Sequence, residues 1–217
     1  MIETLQAIDA FVWGPPMIAL LLGTHVFLTF RTGFIQRKLP EAIRLSFRKD
    51  PEGRGDISNF GALATALAAT IGTGSIVGVA TAILAGGPGA VFWMWVTGIF
   101  GMATKYVEVF ASIRYRVRDH NGNMLGGAMY VWERAFKRPD GTVPWWARLG
   151  AGAFAAFAVV ATIGTGSAVQ ASAMTGIITA AVPVPAWAVG IVIVGLVAAV
   201  IFGGVHAISS VCEKLVP

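Results

Sequence analysis

The apolar residues of this chain fall into long, nearly uninterrupted blocks, and the polar residues gather between them instead of alternating along one face. Blocks over residues 11–30, 57–85, 90–113, 147–182 and 186–205 are each long enough to span a bilayer, which takes roughly 20 mostly apolar residues. Turn chemistry divides them: Gly86, Gly87, Pro88 and Gly89 follow the second block, and Pro183, Val184 and Pro185 follow the fourth. The pattern predicts an all-α polytopic membrane protein of about five transmembrane helices in a single domain over residues 1–217. The second and fourth blocks, at 29 and 36 residues, exceed a straight span, so each is tilted, interrupted or extended beyond the membrane. A shorter stretch, residues 126–136, sets Met129, Tyr130 and Trp132 beside Glu133 and Arg134 and reads as an interfacial helix.

Composition supports this division. With 56% hydrophobic and only 12% charged residues, and a mean hydropathy of +0.72, the chain is too apolar for a soluble globular domain. The basic residues orient it. Seven lie in residues 31–54, seven more in residues 114–148, and Lys214 follows the fifth block, while the N-terminus and the two turn regions have none. By the positive-inside rule the N-terminus is outside, and the two long loops and the C-terminus are cytoplasmic. The net charge of +5 does not indicate nucleic acid, because no basic face carries interleaved aromatics. A lone cysteine, Cys212, excludes an internal disulfide framework. Glu3 and Asp9, ahead of the first block, argue against a cleavable signal peptide.

Within the long blocks, residues 69–75 (ATIGTGS) recur unchanged as residues 161–167. Both copies fall near the centres of their blocks, and both blocks run from inside to outside. The echo is therefore parallel, unlike the inverted repeats of many transporters. Two readings compete. Small residues let membrane helices pack closely. Alternatively, two glycines and two hydroxyls within four residues weaken the helix and supply polar oxygens. A helix broken there exposes carbonyls that can hold a cation and N–H groups that suit a carboxylate. Apart from Arg148 at the very start of the fourth block, neither block contains Asp, Glu, Lys or Arg. A proton relay normally needs an intramembrane ionisable group, so the pattern leans toward sodium over proton coupling. Gln170, three residues past the second copy, reads either as an interhelical hydrogen-bonding residue or as a site residue whose amide serves a zwitterion.

Other polar residues read more plainly. Lys105 and Glu108, three apart, form a structural ion pair or, alternatively, a gate contact. His25 reads as a packed or interfacial residue, and the tryptophans near block ends as belt residues. No nucleophile–base pair, phosphate loop or zinc motif supports an enzyme.

Residues 55–109 (GDISNFGALATALAATIGTGSIVGVATAILAGGPGAVFWMWVTGIFGMATKYVEV) resemble the signature region of the alanine or glycine:cation symporter family, the sodium:alanine symporters. GGAMYV at residues 126–131 and CEKLVP at residues 212–217 resemble further family blocks. The resemblance implies sodium-coupled (sometimes proton-coupled) uptake of alanine, glycine or a related small amino acid, across a bacterial inner membrane. It implies the first half of a leucine-transporter-type inverted-repeat fold, with the second helix discontinuous. Carried over residue by residue, the N–H groups of Thr73 and Gly74, with Ser75, meet the substrate carboxylate. The carbonyls of Ala68 and Ile71 meet sodium, and Gln170 faces the substrate. The coupling ion is the one inorganic partner implied, with no cofactor. The family commonly has Asn at the position of Ser75, and a proline often follows the glycines of its GGAMY block. Its members are also longer: the resemblance places residue 217 before the last helix of the first repeat, so that transport needs a C-terminal half outside this sequence. The alternative for the chain by itself is a truncated, non-transporting membrane protein acting only as an assembly partner.

Overall fold

The computed structural model describes residues 2–48 and 55–216. Lys49 and Arg54 of the first basic loop, and Pro217 of the CEKLVP block, lie outside the described residues. The architecture is all-α apart from one small hairpin. In chain order the helices are α1 (Ile2–Val12), α2 (Pro15–Arg31), a 3-10 turn (Ile35–Lys38), α3 (Leu39–Ser46), α4 (Asn59–Thr70) and α5 (Thr73–Arg114). The hairpin of β1 (Val117–Arg118) and β2 (Met124–Leu125) follows, then α6 (Ala128–Ala135) and α7 (Trp145–Ala161). A π-helical segment (Thr162–Ser167) joins α7 to α8 (Ala168–Ala181), and α9 (Ala186–Ile201) and α10 (Gly204–Leu215) complete the described chain.

The five apolar blocks reappear as helix, but their interruptions do not always lie where turn chemistry puts them. The first begins early. Leu5, Ile8 and Phe11 in α1 are spaced as one apolar helical face, which Glu3 and Asp9 obscure in a linear reading. With α2 it forms a 29-residue stretch, Glu3–Arg31. The second and third blocks meet at one residue. Helical hydrogen bonding carries α5 through 42 residues, and only Gly87, at φ 60° and ψ −156°, leaves helical space. Pro88 starts the next arm, where its missing N–H costs nothing. The fifth block ends at Phe202 and Gly203, where the chain bends by 116° into α10. On length and composition, two stretches can cross a membrane, Glu3–Arg31 and Thr73–Arg114, or three if the bent α9–α10 pair is one span. The segments on either side of the π turn are shorter apolar helices. Within residues 126–136 the chain forms the short amphipathic α6, and the amphipathic α3 joins it among the short helices.

Packing relies on small residues. The buried apolar positions are Ala64, Ala103, Ala147, Ala151 and Val189, and the buried polar ones are Thr29 and Ser209. Backbones approach where side chains are short, as they do in membrane bundles. Helix α2 is joined to α5 by His25 Nδ1 and Thr104 Oγ1 at 2.6 Å, and by Gln36, which donates to Thr29 Oγ1 and to the Ile99 carbonyl. His25 is thus a packed residue. Trp132 of α6 lies over Gly150 of α7, where a β-carbon would come within 3.0 Å of the indole. Trp146 meets Phe136 edge-on at 4.7 Å, a geometry worth about 1 kcal/mol beyond the area it buries.

Candidate functional site

Helix α4 begins at a built cap. Ser58 Oγ accepts the N–H of Gly61 at 2.8 Å and donates to Glu213 Oε1 of α10 at 2.7 Å. Gly61 and Ser209 meet so closely beside this pair that a β-carbon at residue 61 would displace the Ser209 hydroxyl and the Glu213 carboxylate. From there the helix runs twelve residues to Thr70 and stops. Its last bond is Ile71 N–H to the Leu67 carbonyl at 2.8 Å. Ile71 (φ −83°, ψ 96°) and Gly72 (φ −141°, ψ −171°) are extended, and Thr73 restarts the helix as α5.

The break leaves particular groups unpaired. Ser75 and Ile76 both donate their N–H to the Gly72 carbonyl, at 3.0 and 3.2 Å. Among the described residues, the N–H groups of Thr73 and Gly74 and the carbonyls of Ala68 and Ile71 have no backbone partner. Donors therefore stand on one side of the break and acceptors on the other. A helix N-terminus favours an anion and a helix C-terminus a cation. Ser75 is partly committed: its Oγ donates across the break to the Thr70 carbonyl at 2.9 Å. The hydroxyl ties the two half-helices together and keeps only its lone pairs for a ligand.

The second heptapeptide behaves differently. Residues 162–167 stay helical in a π turn, and Ala161 and Ala168 on either side hold right-handed helical angles. One seven-residue sequence thus takes two conformations within one chain. The π turn carries into α8, whose third residue is Gln170. Its carboxamide lies against the break: a β-carbon on Gly72 would come 2.7 Å from Nε2. Thr73, Gly74, Ser75, Gln170, Ala68 and Ile71 therefore all gather at or beside one interruption.

Beyond the break, α5 and α8 flank an open cavity of about 600 Å³. Thr73, Gly74, Val77 and Gly78 form one wall, and Ala168, Val169, Ser172 and Ala173 the other. Sequence reading did not single out Val77, Gly78 or the α8 wall. The available signal was spacing: Gly74, inside the first copy of the heptapeptide, is four residues from Gly78, as Ala168 is from Ser172 just after the second copy. No group of His, Cys, Asp or Glu that could hold a metal exists among the described residues. A cation here would rest on neutral oxygens. Lys105 and Glu108 pair at 3.1 Å with both side chains largely exposed, away from the break.

Residues 1–217 match the model of the sodium:alanine symporter family. The sodium/alanine symporter AgcS of Methanococcus maripaludis is 47% identical over 219 residues, covering 100% of this chain and 47% of that protein. A Haemophilus influenzae protein described as an uncharacterized transporter is 49% identical over 215 residues, covering 98% of this chain and 45% of that one. The probable sodium/glutamine symporter GlnT of Bacillus subtilis is 34% identical over 211 residues, covering 94% and 41%. The chain spans a little under half the length of these relatives. They are transporters, not enzymes, and their likeness, with the apolar helices, marks a multi-pass membrane protein. By the match of its whole length, this chain belongs to the sodium:alanine symporter family.

Proposed function

We propose that this chain is the N-terminal part of a sodium-coupled symporter for a small neutral amino acid, alanine or glycine, in a bacterial inner membrane. The observation that carries the reading is the break at Ile71 and Gly72, with unpaired donors on one side and unpaired acceptors on the other. In this reading the substrate carboxylate sits on the N–H groups of Thr73 and Gly74, with the Ser75 oxygen accepting from the substrate ammonium. Sodium sits on the carbonyls of Ala68 and Ile71, and the Gln170 amide faces the zwitterion. Coupling follows from electrostatics. Cation and carboxylate lie within one uncharged, low-dielectric neighbourhood, so each strengthens the binding of the other, and the coupling is reciprocal.

The reading takes the fold to be the first repeat of a leucine-transporter-type bundle, with five spans, the N-terminus outside and the end of this chain cytoplasmic. The distribution of basic residues supports that orientation. Activity is assigned to the assembly in which a C-terminal half supplies the opposing wall, since alternating access moves one repeat against the other.

Labelled alanine uptake into proteoliposomes tests this, using the chain with and without its C-terminal complement. Uptake driven by an inward sodium gradient, seen only in the completed protein and abolished by Gly74→Leu, is the expected result. Uptake indifferent to the sodium gradient would sink the symport reading. Alanine binding unchanged by Gly74→Leu would remove the broken helix from the site.

A further inference from the structure

Gly72 occupies a conformation that does not require glycine. At φ −141° and ψ −171° its backbone is extended, and any L-residue adopts such angles without strain. The need for glycine therefore lies outside the backbone. A β-carbon at this position would stand 2.7 Å from Gln170 Nε2 and 3.4 Å from both Cδ and Oε1. By contrast, a β-carbon on Gly74, two residues on, meets nothing within 4 Å. The three heavy atoms nearest to a β-carbon at residue 72 all belong to the carboxamide of Gln170.

We infer that Gly72 is a positioning residue: its missing side chain leaves the space through which the Gln170 carboxamide reaches the helix break. The inference rests on the reading of Gln170 as a substrate-facing residue, and it assigns a role to a glycine outside that set of contacts. Gln170 stands on α8, beyond the π turn, while the unpaired N–H groups belong to Thr73 and Gly74. The amide can serve a zwitterion bound at those N–H groups only if it crosses the gap between α8 and the break, and Gly72 is where it crosses. A methyl group there pushes away the far end of a flexible side chain, not a piece of backbone. The fold survives and the amide is lost from the site. The ligand class this favours is an α-amino acid, whose carboxylate and ammonium both need neutral hydrogen-bonding partners in a site without charged side chains.

Two measurements test it. In the completed transporter, Gly72→Ala raises the apparent KM for alanine by roughly tenfold or more, the scale of a lost hydrogen bond to a charged group. In a Gln170→Ala background the same substitution adds less than about twofold, because the partner it displaces is gone. An equal increase in both backgrounds overturns the inference. The second measurement does not depend on transport. Gly72→Cys and Gln170→Cys are combined in a Cys212→Ser chain with a protease site inserted in the exposed 138–142 turn. The membranes are then treated with a short bifunctional methanethiosulfonate and cleaved. The two fragments stay joined if the residues are neighbours, and join less when Gly74→Cys replaces Gly72→Cys. Fragments that separate in both pairs overturn the inference, even if alanine uptake is sodium-driven. Joined fragments without sodium-driven uptake sustain the contact and discard the transport reading.

Discussion

At the scale of single residues, Gly87 is one of the described glycines, with Gly127, whose backbone geometry dictates identity. Its φ of 60° with ψ of −156° lies in a region that essentially only glycine enters, at a cost of about 1–3 kcal/mol for other residues. Gly87→Ala is therefore expected to lower the thermal stability of the detergent-solubilised protein, read as earlier aggregation on heating, whereas Gly89→Ala, at a helical position with open space around it, is not. Asp119 plays a comparable part in the hairpin turn. The Asn123 side-chain amide, then the backbone N–H groups of Asn123 and Asn121, hold its carboxyl below the usual carboxylate range. The folded pKa is lowered, so the stabilisation is complete above the unfolded pKa and is lost as pH falls through the lowered value. The protection factors of the Asn121 and Asn123 amides, measured against their intrinsic exchange rates, should therefore be highest at neutral pH, fall in strong acid, and be low at every pH in Asp119→Ala. Neither residue is conspicuous in the sequence. Gly87 stands among three glycines and a proline, and only the structure shows which one turns the chain.

Elements tell a different story, because their existence was legible and their joints were not. Block hydropathy located α2, α4, α5, α7, α8 and α9 but not α1 or α10, and the Gly-Thr-Gly-Ser cluster marked the break in the second block. Local composition could not say that the same heptapeptide would break in one place and form a π turn in another. The difference lies partly in surroundings: the first copy closes its own break with the local Ser75–Thr70 bond, but it also sets Gly72 against Gln170 of α8, a contact that only the tertiary arrangement creates. The amphipathic α3 and the bend at Gly203 were likewise hidden, the first within a charged loop, the second inside an apolar run. The join between α4 and α10 makes a testable case. Ser58 serves as cap and as donor to Glu213, so Ser58→Ala forfeits both, and the cap alone is worth about 1 kcal/mol. Glu213→Ala spares the cap. Hydrogen exchange in the first turn of α4 should accelerate in both variants, more in Ser58→Ala; equal protection in all three proteins would show that the join does not hold the helix.

For the whole molecule, the telling quantity is surface. The chain exposes 16423 Å², against about 9,500 Å² expected of a compact soluble monomer of this mass. Much of the excess is apolar, including Leu84, Phe157 and Phe202, and such area must meet lipid or protein. Composition announced that much, since a chain so apolar has no other solvent. What covers each face was not legible, because lipid-facing and partner-facing residues share one chemistry. Cysteine labelling from the two sides of sealed vesicles would check the orientation: residue 120 in the hairpin turn should label from the cytoplasmic side and residue 184 from the outside.

The two-residue interruption also has a mechanical meaning. Helix α4 is a rigid arm of twelve residues, about 18 Å long, hinged at Ile71 and Gly72 and fastened at its far end by the Ser58–Glu213 bond. Turning such an arm by about 10° carries its far end about 3 Å, more than a 2.7 Å hydrogen bond tolerates. A rotation of α4 about the break that α10 does not follow would therefore undo a fastening a full arm's length away, whereas one that keeps the Ser58–Glu213 bond carries α10 with it.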